Sequence, residues 1–240
     1  MNKNSENTTL QIHDIDFANG AVLNINKPVG WTSFDVVKKI RNLTRVKKVG
    51  HAGTLDPFAT GVLIVCTGPA TKRINKFVED KKEYIGEIFL GAETDTYDST
   101  GEIVKQYEGQ DFPDISVVEE IINRYKGQIE QVPPMFSALK VKGKRLYKYA
   151  REGKTVERKA RKIEIFEIEL LLYKYPLIKV RIVCSKGTYI RSLAFDIGRD
   201  LGTGAHLKNL IRTRVGDFIL EDAWDMDEFV NLIHEVELCQ

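Results

Sequence analysis

Apolar positions recur along this chain with two different periods, and the switches between them mark its elements. Ala21–Pro28 alternates as a short strand, stopped by a proline that cannot donate to a central ladder. Ser33 suits the N-cap of a helix through Leu43, with Phe34, Val37, Ile40 and Leu43 falling every three to four residues along one face. The unbroken run Val62-Leu63-Ile64-Val65-Cys66 reads as a buried strand, Pro69 as the first position of a short helix carrying Ile74, Phe77 and Val78, and Lys81–Leu90 as another strand. Ser116 and Glu119 form a capping box for a helix to Tyr125, and Gly127–Pro134 is a short strand ended by a proline pair. Leu146, Tyr147 and Ala150 stand at helical spacing. Arg161–Leu172 predicts a long strand whose alternation slips near Phe166, as at a bulge, and Ile178–Cys184 returns as the second arm of a hairpin beyond Tyr175-Pro176. A helix start is expected at Thr188, and Asp225 is expected to cap a last amphipathic helix, about 225–237, with Phe229, Val230 and Ile233 on one face. Strands interspersed with short helices are compatible with a mixed α+β fold.

Length and composition narrow this further. At 240 residues and 42% hydrophobic content the chain can bury one large core, or one core plus a small appendage. Residues 1–20 are polar and predict a loosely held tail without the apolar run of a signal peptide, and no long uncharged apolar stretch follows. A cytoplasmic protein is therefore expected. Cys66, Cys184 and Cys239 form no close pair and His13, His51, His206 and His234 show no ligand spacing, so neither a metal nor a disulfide is indicated.

The net charge of +2 conceals segregation. Residues 38–50 hold six basic side chains and no acid, and residues 140–162 hold eleven against Glu152 and Glu157, a local net of +9. Residues 217–240 hold eight acids and no Lys or Arg. A charge run can be simply a solvated face, but so dense a basic segment repels itself without a partner, which points to a polyanion such as nucleic acid.

The stretch Gly50–Leu63 concentrates the candidate chemistry: one carboxylate (Asp56), one imidazole (His51) and the glycines 50, 53 and 61. Pro57 stiffens the chain after Asp56 and pushes that residue toward an extended conformation. A constrained loop at the edge of a buried strand is a common place for a catalytic group, although an Asp-Pro turn joining two elements has the same composition. Elsewhere, Tyr84 in a strand and the pair Tyr189 and Arg191 at a helix start have ordinary readings as packed aromatics and a surface cation.

This stretch resembles the catalytic motif of the TruB-type tRNA pseudouridine-55 synthases: Gly-His, a small residue, Gly, then Leu-Asp-Pro and a later Gly-Val-Leu. The likeness continues in order from about residue 21 to about residue 220, through Asn26-Lys27-Pro28 with Gly30 and Ser33, Tyr84, Cys184–Leu193 and Gly202–Leu210. It implies a pseudouridine synthase fold: α+β, a large, mixed, mostly antiparallel sheet flanked by helices, in one catalytic domain over 21–240 with a basic thumb insertion at about 133–160. It implies that Asp56 is the essential carboxylate, that Arg191 pairs with it, and that Tyr189 lines the pocket and is the candidate to relay the carbon-5 proton. Tyr84 would stack on the target base, Leu210 would form an apolar wall, and His51 would hold or replace the flipped nucleotide. Lys27 would touch RNA phosphate or pair with a nearby acid. Little in the basic segment is apolar enough to anchor it firmly, so a mobile projection that orders on RNA is expected there, and the resemblance agrees, implying a thumb that grips the T arm of tRNA with Lys142, Lys144 and Arg145. Family members commonly carry a further C-terminal RNA-binding domain of the PUA type, for which 240 residues are expected to leave no room. No cofactor, obligatory protein partner or membrane is implied, and a monomer is expected. Two other readings stay open: a non-catalytic binder that folds or escorts tRNA, and a synthase dependent on guide RNA and partner proteins, against which the thumb argues.

Overall fold

A computed structural model describes residues 15–108, 113–141 and 143–238. Of the tail expected over residues 1–20, residues 1–14 lie outside the described residues, as does Lys142. The described residues form two compact units, those of 15–82 with 211–238, and those of 83–210.

In chain order the elements are α1 (Phe17–Gly20), β1 (Val22–Lys27), α2 (Ser33–Thr44), β2 (Val49–Ala52), β3 (Thr60–Thr67), α3 (Ile74–Glu79), β4 (Lys82–Leu90), β5 (Ala92–Thr94), β6 (Ile103–Gln106), α4 (Ile115–Arg124) and β7 (Gly127–Gln131). There follow β8 (Lys140–Val141), β9 (Lys144–Arg145), α5 (Leu146–Ala150), β10 (Arg161–Lys174), β11 (Leu177–Cys184), α6 (Ile190–Asp200), β12 (Ala205–Val215), β13 (Phe218–Ile219), β14 (Trp224–Asp225) and α7 (Met226–Leu238). Strand pairing is mostly antiparallel, with parallel contacts of β1 to β14 and β3 to β12, which is the mixed α+β class expected.

In the first unit β3 is the pivot. It pairs with β1 on one side and, antiparallel, with β2 through His51↔Val65. Its alternate side chains enter two cores: Leu63 and Val65 pack with Ile25, Ile40, Phe229 and Ile233, while Val62, Ile64 and Cys66 pack with Phe77 and Val215. A strand buried on both faces has no polar phase, hence the continuous apolar run. The α2 helix differs from expectation by one residue. Its N-cap is Thr32, in a reciprocal capping box with Asp35, and its buried stripe is Ser33, Val36, Val37 and Ile40. Phe34 is therefore 60% exposed.

Strand β4, which enters the second unit at Glu83, shows strict alternation, burying Lys82, Tyr84, Gly86, Ile88 and Leu90. The β10–β11 hairpin carries the expected irregularity between Ile165 and Glu167, and a second between Leu170 and Leu172. Two helix starts move. α4 begins after Asp114 without a side-chain cap bond, in place of a Ser116–Glu119 box, and α6 begins after Tyr189, beyond the start expected at Thr188. In the basic segment Leu146 is 1% exposed, and the Leu146 and Tyr147 amides bond to the Leu139 and Ser137 carbonyls. The thumb thus has an apolar anchor that its composition did not suggest. No helix among the described residues is long and apolar enough to cross a membrane.

Candidate active site

In the first unit the residues around Asp56 are held one by one. Leu55, just before it, is bonded at both main-chain groups by one hydroxyl: its amide donates to Ser33 Oγ at 2.9 Å, and Ser33 Oγ donates to its carbonyl at 3.2 Å. Pro57, just after it, has its carbonyl held by the Gly30 amide at 2.8 Å and by Lys27 Nζ at 3.3 Å. Asp56 closes its own turn by accepting the Ala59 amide at 3.1 Å. Asp56 is half-buried. A carboxylate with pinned neighbours has few backbone conformations left, which is the preorganisation a reacting group needs.

Lys27 corrects one expectation. It is fully buried, and its ammonium donates to the carbonyls of Pro28 (2.8 Å), Trp31 (2.7 Å) and Pro57. A cation with three such acceptors and no solvent-facing surface offers nothing to an RNA phosphate; it organises the loop from beneath. Burial pulls its pKa down to about 8, against the opposing field of the Asp56 carboxylate. His51 is half-buried on β2. Its pKa is lowered first by burial and then by the Arg212 charge, with a main-chain bond from Gly53 opposing. Burial and the Arg212 charge both disfavour the imidazolium, and the His51 Nδ1 has no hydrogen-bond partner among the described residues.

In the second unit Tyr84, Leu210 and Arg191 are buried and Tyr189 is half-buried. Gly86, two residues along β4 from Tyr84, faces Leu207, Ile190 and Leu210: a Cβ there would lie 3.5 to 3.8 Å from their side chains. The space beside Tyr84 on that face is therefore bounded by apolar groups, Leu210 among them. Tyr189 is positioned by Gln131, whose amide side chain accepts the Tyr189 N–H at 2.8 Å and donates to its carbonyl at 3.0 Å. Arg191 donates to the carbonyls of Thr96 (3.0 Å) and Phe136 (2.8 Å), and lies 3.4 Å from Asp98 Oδ2. It thereby ties the 94–101 loop to the entry of the thumb.

Asp98 is a residue the sequence reading missed. It is buried, its Oδ1 accepts from Thr96 and Thr100, and its other oxygen faces Arg191. In the thumb, Lys144 is paired with Glu152 and lies 4.6 Å from the Tyr149 ring centroid, while Arg145 is exposed. Two concavities lie apart from these side chains. One of about 420 Å³ is lined by Gly30, Trp31, Asp35, Lys38, Lys39 and Asn42; the other, of about 480 Å³, is lined by Tyr125, Glu130, Val132, Asp196, Arg199 and Asp200. Among the described residues no cluster of His, Cys, Asp or Glu is set to hold a metal ion.

A carboxylate on a braced loop and a buried tyrosine beside an apolar wall, on this arrangement of strands, meet a class of known proteins. The Cbf5-Nop10-Gar1 complex contains a chain that matches with a TM-score of 0.70 and 30% identity, over 92% of this chain and 56% of that one. An H/ACA RNP bound to a substrate RNA containing 2′-deoxyuridine matches with a TM-score of 0.68 and 28% identity, over 92% of this chain and 55% of that one. The present chain spans little more than half the length of either.

The family model for the N-terminal domain of TruB family pseudouridylate synthases matches residues 41–190, and that for the tRNA pseudouridylate synthase B C-terminal domain matches residues 191–238. Proteins named tRNA pseudouridine synthase B from Phocaeicola vulgatus and Bacteroides thetaiotaomicron are 53% and 52% identical over 230 and 234 residues; in each case 93% of this chain and 97% of the relative are covered. The class is thus that of the pseudouridylate synthases, enzymes that act on uridine within RNA. Within it, the chain belongs to the TruB family.

Proposed function

We propose that this enzyme isomerises uridine 55 in the T loop of tRNA to pseudouridine, with Asp56 as its essential carboxylate. The coarser part, pseudouridine formation in tRNA, follows the relatives at about half identity, which carry that activity in their names. The choice of uridine 55 rests on the resemblance to the TruB-type synthases, and the role of Asp56 above all on the bracing of Leu55 and Pro57 on either side of it.

The reaction breaks the glycosidic bond at N1 of uracil, turns the base while it is held, and joins the ribose to carbon 5, from which a proton then leaves. No net redox change occurs. Asp56 acts as the ionised group, since a neutral acid is a poor nucleophile, and Arg191 supplies the positive charge that keeps it so. The uridine must leave its stack at a cost of a few kcal/mol, and stacking on Tyr84 returns about 1 to 3 kcal/mol. Leu210 closes the pocket with apolar surface, Tyr189 relays the carbon-5 proton, and His51 takes up the space or the nucleotide displaced by flipping. Lys144 and Arg145, with Lys142, hold the T arm. The enzyme acts as a monomer, in the cytoplasm, without a guide RNA.

Asp56→Asn should still bind tRNA yet release no tritium from carbon-5-labelled uridine, and normal turnover by that variant would refute the assignment. The likeness to an H/ACA RNP favours one second reading, a synthase that needs a guide. Isomerisation of bare tRNA transcript by the isolated chain excludes it, together with a purely tRNA-binding role.

A further inference from the structure

Arg212 is the bulkiest fully buried side chain among the described residues, at 1% exposure. A guanidinium does not deprotonate in a protein, so this charge stays in the interior and has to be matched by acceptors. Its Nε donates to the Val62 carbonyl at 2.7 Å and its Nη2 to the Gly53 carbonyl at 3.2 Å. Those two residues flank the segment that carries Asp56, one on each side.

The main chain adds another tie. Ile211 and Arg212 pair in parallel with Thr60 and Gly61, and the approach is so close that a Cβ on Gly61, which sits at φ 104°, would lie 2.2 Å from the Arg212 carbonyl oxygen. One residue therefore grips both ends of the loop whose middle is held by Ser33, Gly30 and Lys27. The charge is also registered by two groups beside the loop, since it lowers the pKa of both His51 and Lys27.

We propose that Arg212 is a positioning residue for pseudouridine formation: it staples the two ends of the 53–62 segment together and so fixes where Asp56 points. This inference rests on the reading of Asp56 as the catalytic carboxylate. Arg212→Met keeps the buried volume but takes these donors from the Val62 and Gly53 carbonyls, so stability is measured beside the rate to separate fold from catalysis.

The test compares Arg212→Met and Arg212→Lys with the parent and with Asp56→Asn, reading tRNA affinity, single-turnover rate and the NMR titration of His51. Arg212→Met is expected to fold, to bind tRNA within about threefold of the parent, and to lose about 100-fold in the single-turnover rate, the scale of a misplacement near 1 Å. Arg212→Lys, which keeps the charge but not the two-pronged fork, should recover part of that loss. In Arg212→Met the His51 imidazole should titrate at higher pH than in the parent, because the Arg212 charge that disfavours its protonation is gone, while burial still lowers its pKa and the Gly53 main-chain bond still opposes that.

A folded Arg212→Met with the parent's single-turnover rate and an unmoved His51 titration overturns the proposal. Should Arg212→Met not fold, a folded Arg212→Lys with full rate overturns it as well, and loss of folding in both assigns the residue to the fold alone. If Asp56→Asn remains active, the reading of the carboxylate fails, whatever Arg212 does; if Asp56→Asn is inactive while Arg212→Met is unimpaired, only the positioning role fails.

Discussion

Lys27 carries the clearest prediction at the scale of a single residue. Its folded pKa of about 8 lies below the ordinary 10.5 of a lysine because burial penalises the ammonium. Below pH 8 the group is charged in both the folded and unfolded states and the full penalty is present. Between 8 and 10.5 the unfolded chain binds the extra proton, so unfolding free energy should rise with pH across that window, by on the order of a few kcal/mol at most. Denaturant melts over that range should show the rise in the parent and lack it in Lys27→Met; parallel curves for the two would mean that Lys27 is not the buried cation the geometry describes. Residues of this kind are hard to read in a sequence. Lys27 ends β1 and Arg212 lies within β12, among polar neighbours where a basic residue is ordinarily solvated. Their burial follows from acceptors up to 159 positions away, which no local pattern encodes. The constrained turn at Asp56 was legible for the opposite reason, since Gly53, Pro57 and Gly61 are its own neighbours in the chain, while the role of its carboxylate came from the family resemblance alone.

At the scale of an element, α2 shows how one residue of phase changes both packing and function. Thr32 and Ser33 are both good cap residues, and the apolar spacing from Phe34 tolerates either start. The decision is made by Asp35, which returns the bond to the Thr32 amide at 2.9 Å, and by Leu55, which occupies the Ser33 hydroxyl. Two substitutions of the same chemistry should therefore diverge. Thr32→Ala should cost about 1 kcal/mol in unfolding free energy and leave turnover near normal, because it loosens only a helix end. Ser33→Ala removes the bonds at both main-chain groups of Leu55, next to Asp56, and should lower the single-turnover rate more than it lowers stability. Equal loss of stability with no difference in rate would place the hydroxyl in the cap after all. The bulge in β10 was visible in advance because an inserted residue breaks a period of two over many positions. The start of α4 was not, since Asp114 makes no side-chain bond and leaves no capping signature.

Over the whole molecule the relevant quantity is where charge is free to meet a polyanion, and the basic total of the thumb overstates it. Lys144 is paired with Glu152 and rests over Tyr149, while Lys154 also approaches Glu152. Such exposed pairs are worth little in stability, but each must open, or carry its acid along, before the cation can replace a counterion on RNA. Arg145 is exposed, and its following residue, Leu146, is the buried anchor that fixes its direction. Each phosphate neutralised contributes about 0.7 to 0.9 to the slope of log affinity against log salt. Arg145→Gln should accordingly flatten the slope for tRNA binding by about one contact, and Lys144→Gln by less, because part of its charge is already answered by Glu152. Glu152→Gln should act in the reverse sense and steepen the slope by releasing Lys144. Titrations of the three variants across a salt series would order them in this way if the thumb is the gripping surface. Identical slopes for all three would move the electrostatic contact to another basic run, of which residues 38–50 are the next densest.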